Sequence, residues 1–155
     1  LDGYKEGLSR AGIAFDESLV VPGDYRRDTA YAAARALLSR DPGPTALLVC
    51  NESMTGAALA CLKDHGVRVP DDLSLIGFDD PAWASFYNPA ITTLREERFD
   101  MGRLACDALI AALSDPGSGF SQAPEVRLRT ELVRRESCGP PRQGGALVNR
   151  GSESE

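Results

Sequence analysis

Two adjacent carboxylates, Asp79 and Asp80, end the segment VPDDLSLIGFDD (residues 69–80), in which a Pro-Asp-Asp turn launches a short apolar strand that closes on Gly77 and Phe78. In an open parallel sheet the carboxyl ends of the strands are where ligands bind, because each strand stops in a crevice lined by loops. Both acids are therefore site candidates. A carboxylate accepts two hydroxyl hydrogen bonds, which suits a polyol, and the other reading of either residue is a turn-capping or structural aspartate. Asp79 and Glu52 could also imitate the paired acids of a glycosidase. That reading is the weaker one, since the chain has no Gly-Lys-Ser/Thr phosphate loop, no GxSxG elbow and no metal-ligand cluster. Cys50, Cys61, Cys106 and Cys138 form no CxxC pair, and His65 is the one histidine. They read as reduced, small apolar fillers, so no metal or other cofactor is expected.

The elements that must position these groups alternate between strand and helix, the pattern of an α/β fold with a parallel sheet and helices on both faces. Residues 1–11 read as a helix closed by Gly12, residues 19–21 as a short strand, and a helix starting at Asp28 or Arg27 and running to about Ser39 carries Ala30, Ala33, Ala34, Leu37 and Leu38 on one face. Residues 45–50 (TALLVC) form a nearly continuous apolar strand, as expected when helices cover both sides. The next helix runs to His65 and stops at Gly66. Residues 81–87 make an aromatic loop or short helix, and residues 91–94 another extended piece. A long amphipathic helix over 97–113 carries Met101, Leu104, Ala105, Ala108, Leu109 and Ala112 on its apolar face. Residues 115–122 read as a loop. Val126, Leu128, Thr130 and Leu132 then alternate as on an edge strand, where Arg134 and Arg135 form a solvated basic pair that discourages further pairing. From Gly139 to the end, apolar content is too low for independent folding and a disordered tail is expected.

A chain of 155 residues supports one folding unit of moderate size. No apolar run approaches the roughly 18 to 20 residues needed to cross a bilayer, so no membrane partner is expected. The net charge of -6 argues against a surface that grips a phosphate backbone. Leu1 follows neither an initiator methionine nor a signal-like segment, and the chain is expected to be a fragment.

Six pieces in order, GDY (23–25), PTALLVCNESM (44–54), GVRVPDDLSLIGFDD (66–80), NPAITTLREE (88–97), Met101-Gly102 and TELVRRES (130–137), together resemble the effector-binding core of the lactose-repressor/galactose-repressor family of bacterial transcription regulators. The resemblance covers about residues 1–138. It implies a type I periplasmic-binding-protein-like core of two α/β subdomains with an effector in the cleft between them. Residues 1–90 and 125–138 would belong to the carboxyl-terminal subdomain, residues 95–114 would cross over to the other, and residues 139–155 would be the tail. It further implies a cytoplasmic homodimer and operator DNA bound only through an upstream helix-turn-helix headpiece outside this chain. No catalysis is implied. A periplasmic sugar-binding protein of a transporter is the alternative within the same fold.

The resemblance also assigns residues. Asp79 matches the family's ligand-contacting acid, with Asp80 beside it structural. Asn51 matches its cleft asparagine, whose amide both donates and accepts, while an N-cap is its other and compatible role. Tyr25 falls where an aromatic ring stacks on ligand C–H groups, or else packs in the core. Glu96 falls where a polar side chain approaches the cleft. Trp83, Phe86 and Tyr87 would pack on a sheet edge or wall the cleft. Met54, Ala57, Ala58 and Cys61 lie on the helix assigned to the dimer interface, or else in the chain's own core. The family usually has Asp where this chain has Glu52, which puts the local hydrogen-bond geometry in question. Its ligand-binding arginine would precede Leu1. If the 97–113 helix packs on an absent subdomain, its apolar face should be uncovered and the chain should associate.

Overall fold

Leu47 on β1 (Ala46–Leu48) and Leu75 on β2 (Ser74–Phe78) stand opposite each other in a parallel ladder, and both are buried beneath the helix α3 (Glu52–Asp64). These come from a computed structural model, which describes residues 1–114 and 125–141. The other elements are α1 (Asp2–Arg10), α2 (Arg27–Leu38), β3 (Thr92–Glu96), α4 (Arg98–Ser114) and β4 (Thr130–Val133), with single 3-10 turns at Glu17–Leu19 and Ala82–Ser85. The strands lie in the order β1-β2-β3-β4. The first three are parallel and β4 returns antiparallel on β3, so the α/β sheet is mixed.

Side chains alternate across a strand, so Leu75 and Gly77 share the face that Leu47 and Val49 also use. α3 closes on it through Ala58, Leu59, Cys61 and Leu62, and α2 adds Ala34 and Leu38. Burying each leucine fully stabilises the fold by roughly 1.5–3 kcal/mol. Gly77 marks a close approach of β2 to α3: a Cβ there would stand 2.8 Å from Thr55 Cγ2. The other face is less covered. Leu48 and Leu132 point to it and are exposed, so the two-sided cover expected around residues 45–50 is present on one side of β1.

The amphipathic stripe of α2 is borne out, with Ala30, Ala34 and Leu38 buried. The strand expected at 19–21 does not form. Asp16 caps a 3-10 turn by accepting from Ser18 N at 2.9 Å, and Val20 and Val21 beyond it are exposed and outside the sheet. α4 forms where periodicity placed it, yet none of its residues is buried; Phe99, Met101, Leu109, Ile110 and Leu113 face solvent. β4 is the expected edge strand, shorter than the alternation suggested, because residues 125–129 take no ladder position. The loop expected at 115–122 lies outside the described residues, as does the tail beyond residue 141. Gly139, placed at the start of that tail, is held: its N–H donates to Ser74 Oγ at 3.1 Å, and Ser74 Oγ donates to its carbonyl at 3.2 Å.

Candidate effector site

The first turn of α3 organises the carboxyl edge of the sheet. Backbone N–H groups at a helix start have no partner within the helix, and two of them find side chains here. Asn51 Oδ1 accepts from Met54 N at 2.7 Å as the N-cap, and Asp79 Oδ2 accepts from Glu52 N at 2.8 Å. The negative end of Asp79 thus sits against the positive end of the helix dipole. Each side chain keeps capacity for a ligand: among the described residues, Asp79 Oδ1 and Asn51 Nδ2 have no hydrogen-bond partner. Trp83 joins the group by donating from Nε1 to Glu52 Oε1 at 3.0 Å, with Tyr87 edge-on to its ring. The extra methylene of Glu52 is therefore part of a contact.

Asp79 and Asp80 separate because both adopt left-handed backbone, with φ of 73° and 42°. Aspartate tolerates that region better than most residues. A tight turn, not an alternation along an extended strand, thus sends the two side chains apart. Asp80 faces the other way, into a network with 9% of its side chain exposed. Its Oδ1 accepts from Thr93 Oγ1 and from Arg135 Nη2, each at 2.7 Å, and its Oδ2 accepts from Arg95 Nε at 2.8 Å. Burial pushes the carboxyl up, but the hydrogen bonds from Thr93, Arg135 and Arg95 outweigh it and lower the pKa to about 2. Arg135 is correspondingly half-enclosed, so it is not the solvated edge residue that the Arg134–Arg135 pair suggested; it also donates to Ile91 O at 2.7 Å.

Tyr25 lies on the loop before α2, with Asp24 and Tyr25 both left-handed. Thr29 Oγ1 pins that loop by donating to Gly23 O at 2.6 Å, and Gly23 packs against Met54 beside the first turn of α3. Tyr25 is 72% exposed, which corrects the core-packing alternative. It touches neither Asp79 nor Asn51 through a hydrogen bond. Glu96 ends β3 at the same edge of the sheet as Asp79 and is half-buried. Ala57, Ala58 and Cys61, the residues expected at a dimer interface or else in the chain's own core, are buried within this chain. Met54 packs against that core from a half-buried position. Phe86 is exposed, whereas Trp83 packs on the core.

Ser137 went unremarked in the sequence and is fully buried. Its Oγ donates to Leu75 O at 2.6 Å and accepts from Thr92 N at 2.8 Å, fastening the segment after β4 across β2 and β3. A serine next to a charged run carries no local signal of this. Among the described residues there is no cluster of His, Cys, Asp or Glu that could hold a metal, and no helix is long and apolar enough to cross a membrane.

A family model described as a periplasmic binding protein-like domain matches residues 1–138. The chain belongs to that family. Among periplasmic binding protein-like relatives, the HTH-type transcriptional repressor PurR of Haemophilus influenzae is 31% identical over 136 residues, covering 88% of this chain and 40% of PurR. The HTH-type transcriptional regulator CelR of Thermobifida fusca is 37% identical over 138 residues, covering 88% of this chain and 39% of CelR. A solved transcriptional regulator CelR–cellobiose complex superposes with a TM-score of 0.75 at 36% identity over 87% of this chain and 40% of that one. A LacI family transcriptional regulator from Mycobacterium smegmatis gives 0.76 at 30%, over 91% and 52%. The chain spans about two fifths of the length of the curated relatives it matches.

Proposed function

We propose that this chain is part of the ligand-sensing domain of a LacI-type transcriptional regulator. A small effector, a sugar or sugar derivative, binds at the carboxyl edge of the sheet in a cleft completed by a second subdomain. The observation that carries this reading is the convergence of Asn51, Glu52, Asp79 and Trp83 at the start of α3, with open hydrogen-bonding capacity on both Asn51 and Asp79. Asp79 Oδ1 receives a hydroxyl, Asn51 Nδ2 donates to another, and the exposed ring of Tyr25 covers a C–H face of the effector. Glu96 borders the same cleft from β3. The cellobiose held by CelR supports a carbohydrate here.

In this reading the effector acts by binding one arrangement of the two subdomains more tightly than the other, since a ligand with equal affinity for both shifts nothing. The protein works as a cytoplasmic homodimer, and the shift alters the spacing of paired helix-turn-helix headpieces on operator DNA. No bond in the effector is made or broken. The test is a thermal-shift screen of the full-length gene product against sugars, phosphosugars, nucleosides and polyols. A selective sugar at about 100 times its Kd should add roughly 2.7 kcal/mol of apparent stability. A response to none of the sugars, or turnover of one, contradicts the reading.

A further inference from the structure

Asp80 binds the strand that leads into α4 and the segment that follows the next strand of the sheet. Arg95 lies within β3, which ends at Glu96 just before α4 begins at Arg98; Arg135 lies two residues beyond β4 (Thr130–Val133). Both guanidinium groups end on the one Asp80 carboxylate, on separate oxygens at 2.7 Å. Arg95 also reaches Glu131 of β4 at 3.2 Å, and Thr93 links the set by donating to Asp80 while accepting from Arg135 at 3.1 Å. α4 itself buries no residue. Asp79, directly before Asp80 in the same left-handed turn, holds the start of α3.

We propose that Asp80 is a positioning residue which couples the orientation of Asp79, and with it the first turn of α3, to the strand that leads into α4 and its neighbour β4. Asp80 takes part in the turn geometry at one end and in two charge-assisted contacts at the other, so displacing β3 relative to β4 pulls on the turn that aims Asp79. This rests on the effector reading for its consequence and not for its mechanics. If Asp79 contacts the effector, the same linkage makes effector affinity depend on where α4 sits.

Amide hydrogen exchange on the full-length gene product without any ligand tests the coupling. Asp80→Asn should speed exchange about tenfold at Glu52–Met54 and in peptides spanning 92–98 and 130–136, while α2 amides keep their wild-type protection. Arg95→Gln, which touches neither Asp79 nor α3, should produce the same pattern more weakly; it decides the matter where Asp80→Asn loosens the whole fold. Unchanged exchange at the start of α3 in Arg95→Gln, or a uniform rise across the protein in both variants, overturns the proposal. A sugar screen that finds no effector would remove the functional reading and leave this result standing.

Discussion

Trp83 Nε1 donates to Glu52 Oε1 at 3.0 Å across 31 residues of sequence, tying the aromatic turn after β2 to the first turn of α3. Trp83 is the chain's single tryptophan, so its emission reports directly on the site. Glu52→Ala should alter that emission and cost about 0.5–1 kcal/mol, the usual net worth of a partly exposed hydrogen bond. Glu52→Gln, which keeps a carbonyl acceptor, should stay close to wild type. Urea unfolding followed by indole fluorescence measures both.

Acid stability should follow Asp80. Its folded pKa of about 2 lies below the ordinary 3.8, so ionised Asp80 contributes stability that is fully present above pH 3.8 and disappears as pH falls through 2. The contribution is on the order of 2 kcal/mol. Asp80→Asn should abolish this dependence between those two values and cost about 3 kcal/mol near neutrality, because the half-enclosed Arg135 loses its counter-charge. Chemical denaturation across the acid range gives the comparison; an undiminished slope in the variant contradicts the assignment.

Ser137→Ala should destabilise by about 2–3 kcal/mol, since it leaves Thr92 N and Leu75 O, inside the sheet, without their buried partner. Ser137→Thr is no remedy in a position with no exposed surface. Denaturant midpoints with an unchanged m-value would show a pure loss of stability.

The chain expressed by itself should associate through α4, whose Leu109, Ile110 and Leu113 are exposed near its carboxyl end. Changing Leu109 and Leu113 to Glu should lower its weight-average mass in sedimentation velocity. A concentration-independent monomer in the wild type contradicts this.

What the sequence disclosed about this fold was local or periodic. The stripe on α2, the cap at Asn51 and the stop at Gly66 each depend on residues within a turn or two of one another, and each is present. Residues 19–21 have strand-forming side chains, but strand formation needs a ladder partner, which local propensity does not supply. The same holds for the site. Asp79 was identified from its place after Gly77-Phe78, whereas the pairing of Asp80 with Arg135 spans 55 residues and has no local signature. On α3 the periodicity of Met54, Ala57, Ala58 and Cys61 was legible, but the direction of that face was not: one stripe serves equally to cover a sheet or to meet a second chain.

Calorimetric titration of the full-length gene product with the sugar that most raises its melting temperature, in wild type and Asp79→Asn, tests the central claim most directly. The asparagine keeps an acceptor for Glu52 N and removes the charge, so folding should be nearly preserved while affinity falls by about 10- to 100-fold, the worth of one charge-assisted hydrogen bond. Equal affinity in the two proteins would place the effector elsewhere and contradict the account.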